Sequence, residues 1–330
     1  MRVFVAGATG AIGRRLIYKL VQSGHTVAGM TRREEKAPLL RVLGADPILV
    51  DALDSDGVAK AIREFRPEVI VNELTAIPSR LNFRRFDEEF AQTNRLRTEG
   101  TDNLIAGAHG AGVRRFISQS YAAWPYVREG SSVKIEEDPF DPNPPIALRS
   151  TMDALKYLES VTRGMQGIKG IVLRYGAFYG PGTSLSEGGP VVEDLRRRKF
   201  PIVGKGTGVW SFIHIDDAAA ATVAAVERGA AGVYNIVDDD PAPVSQWLPE
   251  LAADVGAPKP LHLPAFLARF LIGDHGIMMM TEIRGASNAK AKRLLQWTPQ
   301  WPTWRGGFRE GLSEGAARMN PPLHFVPGTT

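Results

Sequence analysis

The 330-residue chain contains no cysteine. That absence excludes disulfides, thiolate metal sites and a cysteine nucleophile together, leaving hydroxyls, carboxylates, lysine, histidine and a cofactor as sources of chemistry. Long apolar runs are missing too: no uncharged stretch approaches the roughly 18 residues that span a bilayer. The first strand pattern begins at Arg2, which leaves no room for a secretory signal, so the expectation is a cytoplasmic protein with no membrane partner. Charge of one sign is scarce, at a formal net of +4. The one dense basic run, Arg196 to Lys199, reads as the solvated end of a helix, and nucleic acid is not an expected partner. There is no repeat and no low-complexity tract. No metal is expected either: "HIDD" at His214 to Asp217 enters an alanine-rich helix, so Asp216 or Asp217 reads as its N-cap and His214 as tied into a lobe interface.

What is present is alternation. From residue 1 to about 175, short β-rich runs ("RVFVA", "TVAGM", "PILV", "EVIVN", "RRFISQ", "GIKGIVLR") alternate with helical patterns, which predicts an α/β fold with a parallel sheet covered on both faces. After "YGPGTSL" regularity falls and glycine and proline rise, as expected of a smaller C-terminal substrate lobe. The expected division is a dinucleotide-binding unit over 1–180, a strand and helix returning to it from about 208–236, and 181–330 mainly substrate lobe.

The stretch "GATGAIG" follows the first strand and opens an amphipathic helix. In that setting Gly7 permits the tight turn, Gly10 lets backbone approach a pyrophosphate, and Gly13 lets the helix pack closely on the strand. The helix N-terminus then offers unpaired N–H groups to the anion.

The spacing of these glycines, followed in order by "EGTDNLIAGAHGAGVRRFISQS", "IVLRYGAFYGPG", "WSFIHIDDAAAATVAAVERG", "GVYNIVDDDP" and "SNAKAKRLLQWTPQW", resembles the short-chain dehydrogenase/reductase superfamily. More narrowly, it resembles the extended or atypical NAD-dependent epimerase/dehydratase branch. The resemblance covers nearly the whole chain and implies a Rossmann-type doubly wound sheet. It also implies that Thr9, Ala11 and Ile12 join the three glycines at the cofactor, with Leu74 after the fourth strand and Tyr175, Gly176, Ala177 and Phe178 on the nicotinamide side. Asp51 and Ala52 fall near the adenine, where a plain helix cap is the other reading of the acid. Homodimerisation through long helices is a family expectation.

At the end of the second strand, where an acidic residue would hold a ribose 2′-hydroxyl, the chain has Thr31, Arg32 and Arg33. A guanidinium fork suits a 2′-phosphate, so NADP(H) is favoured over NAD(H); the alternative is that both arginines pair with Glu34 and Glu35.

The resemblance also implies a serine at the end of the fifth strand and a Tyr-x-x-x-Lys pair on the next helix. Ser120 matches the serine, but none of the seven tyrosines has a lysine four residues later. Possible registers put the pair at Ile146/Ser150, Thr151/Leu155 or Met152/Lys156. The candidate replacements are Tyr121, Tyr157, Lys156 and Tyr126, with helix packing and a solvated charge as the other readings of Tyr157 and Lys156. An unassisted tyrosine of pKa about 10 is roughly one part in a thousand phenolate at pH 7, a poor base that can still donate a proton. Carbonyl reduction of a small molecule with a non-standard proton donor is therefore the leading expectation. The rivals are a non-catalytic cofactor-binding regulator and an epimerase, dehydratase or isomerase without net redox. The three methionines Met278 to Met280 read as core rather than pocket, and the tryptophans from Trp297 to Trp304 as packing anchors.

Overall fold

The computed structural model describes residues 1–314 apart from Ser79 and Leu81. The end of the expected substrate lobe, 315–330, thus lies outside the described residues. The chain alternates strand and helix: β1 (Arg2–Ala6), α1 (Ala11–Gln22), β2 (Thr26–Thr31), α2 (Ala37–Val42), β3 (Asp46–Leu49), α3 (Ser55–Phe65), β4 (Val69–Asn72), α4 (Thr101–Ala108), β5 (Arg115–Tyr121), α5 (Arg149–Arg163) and β6 (Lys169–Tyr175). After an excursion it returns as α6 (Ile215–Arg228) and β7 (Gly232–Ile236).

These seven strands form one parallel sheet in the order β7-β6-β5-β4-β1-β2-β3, the parallel sheet expected from the alternation in the Rossmann-like arrangement that the resemblance implied. The strands are apolar almost throughout because both faces are covered. Leu16, Ile17 and Leu20 of α1 pack with Ala218, Ala221 and Ala225 of α6 on one face. Val58 and Ile62 of α3 pack with Leu104 of α4 on the other. Strand order reverses between β1 and β4, and a crevice at the carboxyl ends there is where open α/β sheets take ligands.

The residues outside the sheet are organised by aromatics: Phe212, Trp247, Trp304 and Phe308 form a second core, with Tyr179 against Phe308. Trp297 is buried in the sheet's own core and Trp304 in this second one, so these two tryptophans do pack as anchors. A last long helix, α7 (Ala265–Thr281), is interrupted at Gly273, whose φ of 67° breaks the helical path. Its second half brings His275 and Met278 against the segment Phe83–Phe90. The methionines divide, Met278 entering that aromatic cluster and Met280 the second core.

Candidate active site

Two of the three glycines in the first turn are forced by geometry. Gly7 has φ of 85°, and a Cβ there would lie 2.3 Å from the Glu73 carbonyl oxygen. A Cβ on Gly13 would lie 2.3 Å from the Gly7 carbonyl oxygen. Gly10 is the N-cap of α1 and supplies no side-chain acceptor, so the first-turn N–H groups around Ala11 and Ile12 have no cap to satisfy them. That cradle fits an anionic diphosphate.

At the other end of the crevice, Arg32 and Arg33 are exposed, and among the described residues neither pairs with Glu34 or Glu35. Arg32 Nη1 lies 4.0 Å from Asp51 Oδ2 instead. Asp54, not Asp51, caps α3 by accepting the Gly57 N–H at 3.0 Å, so the cap reading of Asp51 is set aside. Leu74 and Ala52 both pack on Gly100.

Tyr175 is fully buried, with Phe178 beside it at 5.3 Å between ring centroids. Its hydroxyl lies 2.9 Å from Glu73 Oε1 and 2.6 Å from Thr222 Oγ1, while Thr222 donates to the Ala218 carbonyl at 2.8 Å. Each hydroxyl has one proton. All three contacts are hydrogen bonds at once only if Thr222 donates to Ala218, Tyr175 donates to Thr222, and Glu73 donates to Tyr175. Burial agrees, pushing the Glu73 carboxyl up to about 8, so it is largely protonated at neutral pH. Sequence reading missed Glu73; its signal was an acid directly after an apolar strand.

The five expected proton-handling residues are not brought together. Ser120 is fully buried and donates to Glu159 Oε1 at 2.6 Å. Glu159 also takes a bidentate pair of bonds from Arg174, at 2.8 and 2.6 Å. Arg174 Nη1 donates to the Tyr126 hydroxyl at 2.9 Å, and Tyr126 donates to Asn235 at 2.7 Å. Ser120 and Tyr126 are thus parts of one buried network joining β5, β6, β7 and α5. Its desolvation pushes the Tyr126 phenol up to about 12. Tyr157 is 39% exposed and donates to the Asp102 carboxylate on α4, which raises its pKa. Lys156 is exposed and lines a different cleft with Glu136, Arg163, Arg174 and Lys290. Tyr121, at the end of β5, lies half-buried against Trp124 at 5.5 Å between centroids.

The alternative registers give no acid either: Ile146 and Ser150 are exposed, and Met152 and Leu155 are core. What holds the start of α5 is Asp87, which accepts the Ser150 and Thr151 N–H groups at 3.0 and 2.9 Å. Replacing Ser120 with alanine should therefore cost about 1–3 kcal/mol of stability through the lost bond to a charged group, with turnover nearly unchanged. Thermal melts and steady-state kinetics check it.

One expectation is corrected at "HIDD". His214 itself is the N-cap of α6, its Nδ1 accepting the Asp216 N–H at 3.2 Å, which leaves Nε2–H to donate to the Gly311 carbonyl at 3.1 Å. Among the described residues no His and acid cluster could hold a metal. No helix among them is long and apolar enough to cross a membrane.

A model of the NAD dependent epimerase/dehydratase family matches residues 3–237. The chain belongs to that family. It is 44% identical over 316 residues to 3-diazoavenalumate denitrifying reductase of a Streptomyces species, covering 93% of this chain and 99% of the relative. It is 26% identical over 342 residues to 2-alkyl-3-oxoalkanoate reductase of Stenotrophomonas maltophilia, covering 97% and 98%. Among solved structures, a human epimerase family protein with NADPH superposes at a TM-score of 0.74 with 20% identity, covering 94% of this chain and 99% of that one. The family and these relatives are those of nicotinamide-dependent oxidoreductases and epimerase-like enzymes of the extended short-chain type, and the glycine cradle fits that cofactor class.

Proposed function

We propose that the protein is an NADP(H)-dependent reductase that hydrogenates a small aromatic electrophile in a step needing no acid from the protein, with an arenediazonium as the substrate class. The observation that carries this is the commitment of Ser120, Tyr126, Tyr157 and Lys156 elsewhere, with no acid on α5 at any register of the missing pair. Carbonyl reduction builds alkoxide charge that a proton must quench. Reduced nicotinamide supplies a hydride, and at the carbon bearing the diazonio group a C–H bond forms as the C–N bond breaks with its electron pair leaving on N2, so charge balances without a proton. Denitrification of a diazo compound is the reaction named for the 44% identical relative, which supports the same class here.

The chain's own residues then have binding and shaping work. The first turn and the N-terminus of α1 would hold the diphosphate. Arg32 and Arg33, unpaired with the glutamates beside them, favour a 2′-phosphate. Phe86, Phe90 and Trp124 form a buried aromatic cluster with Tyr121 packed against it, a dry environment whose chemistry suits an arene. Purified protein given NADPH and an arenediazonium should release one N2 per NADPH consumed, faster than with NADH. Consumption of NADPH on ketones but on no diazonium would reverse the assignment. It would favour the second reading, carbonyl reduction with Tyr121 as donor, whose phenol burial keeps protonated.

A further inference from the structure

Arg97 is the least explained charge in the molecule. It sits in a π-helical turn, Leu96–Gly100, is 2% exposed, and both of its terminal nitrogens lack a hydrogen-bond partner. Among the described residues no carboxylate pairs with it; its neighbours are the rings of Phe90 and Tyr121, each 5.8 Å from the guanidinium carbon. Those contacts recover only part of what desolvating a cation costs. Burial lowers its pKa to about 10, which still leaves it charged at neutral pH. The rings around it offer no hydrogen-bond acceptor to either terminal nitrogen, and π-turns inside helices concentrate at functional sites.

Its position is informative. Three residues on, Gly100 packs against Leu74 and Ala52 on the cofactor side. On the other side, Phe90 stacks on Phe86 at 4.1 Å, Phe86 meets Trp124 at 6.2 Å and His275 at 4.3 Å, and Tyr121 meets Trp124. His275 is held neutral by burial, its pKa lowered to about 3, and its Nδ1 has no partner. One unpaired cation thus stands at the junction of the cofactor crevice and an aromatic wall that carries no competing charge.

We propose that Arg97 is the anion subsite of the substrate pocket, binding the carboxylate of a planar aromatic acid whose ring lies along Phe86, Phe90, Tyr121 and Trp124. Its placement beside the nicotinamide rests on the reading above; its ligand class rests on the unpaired guanidinium and the rings. The carboxylate supplies the missing acceptors in a bidentate pair; because both terminal nitrogens are buried, the rings of Phe90 and Tyr121 around the guanidinium must give way to admit it.

The test is equilibrium titration of trans-cinnamate, which no hydride can denitrify, and of methyl cinnamate into the NADP⁺-loaded protein, with wild type, Arg97→Met and Arg97→Lys. Wild type should bind cinnamate more tightly than the ester. Arg97→Met should weaken cinnamate about ten- to hundredfold and leave the ester unchanged, with Arg97→Lys in between. Without ligand, Arg97→Met should melt at or above the wild-type temperature, because it removes an unpartnered buried charge. The inference is overturned if wild type does not bind cinnamate, if acid and ester bind alike, if Arg97→Met leaves cinnamate affinity intact, or if it melts lower, as a structural arginine would. Inactivity on every diazonium alongside Arg97-dependent cinnamate binding would remove the proposed chemistry and keep the subsite.

Discussion

Replacing Gly13 with alanine should lower nicotinamide-cofactor affinity by about a hundredfold or more and destabilise the fold. The new Cβ would stand 2.3 Å from the Gly7 carbonyl oxygen and 2.8 Å from the Ala8 carbonyl carbon, and both obstacles are backbone. No rotamer relieves such a contact, so α1 must lift off β1 or the turn must open. Either movement takes the first-turn N–H groups away from the diphosphate, where each bond to a charged oxygen contributes about 1.5–3 kcal/mol. Overpacking of this kind typically costs about 1–3 kcal/mol of stability as well. Gly306→Ala is the control, because a Cβ there meets nothing within 4 Å. Titrating NADPH into both variants, with melting curves, gives the comparison; unaltered affinity in Gly13→Ala would mean that the diphosphate does not sit on α1.

The second large effect concerns Glu73 and pH. Its carboxyl is raised from 4.5 to about 8 in the fold by burial. The unfolded chain gives up this proton near 4.5 while the folded chain keeps it, so between those values the unfolded state binds fewer protons and stability falls as pH rises. The contribution is fully present below 4.5 and is lost as pH climbs to about 8. At about 1.4 kcal/mol per unit, the full span from 4.5 to about 8 is worth roughly 5 kcal/mol. Glu73→Gln keeps the shape, and its amide N–H can donate to Tyr175 as the protonated acid does. The variant should match wild type near pH 4.5 and become progressively more stable than it toward pH 8. Chemical denaturation at several pH values measures the gap; a glutamine variant less stable than wild type at pH 8 would mean that Glu73 is ionised, and the proton count through Tyr175 and Thr222 would fail.

The sheet was legible because its signals are local. Alternation of apolar runs with amphipathic helices gave the parallel α/β architecture, and the glycines of the first turn marked the cradle, whose steric reason then emerged as backbone approaching backbone at Gly7 and Gly13. The proton-handling candidates were read by proximity in sequence to a family pattern, and side-chain direction decided otherwise. Ser120 sits at the expected place on β5, but it faces α5, where Glu159 one helix away claims its hydroxyl. Neither Glu159 nor its partner Arg174 could be matched to Ser120 without the pairing of β5 with β6. Tyr157 is on the expected helix yet on its outer face, against α4. Asp87 caps α5 from more than sixty positions away, which no local pattern signals. Arg97 and Glu73 carry no motif; what distinguishes them is burial with polar atoms left unpartnered, both terminal nitrogens of Arg97 and Oε2 of Glu73, a property of the folded chain only.

The central claim is hydride transfer to carbon with no protein acid, and isotopic labelling tests it most directly. NADPH carrying deuterium at C4 on the transferred face, reacted with an arenediazonium in ordinary water, should leave deuterium on the ring carbon that lost N2. Unlabelled NADPH in D2O should leave none there. Deuterium arriving at that carbon from the solvent would contradict the account, because it would require proton delivery in place of direct hydride transfer.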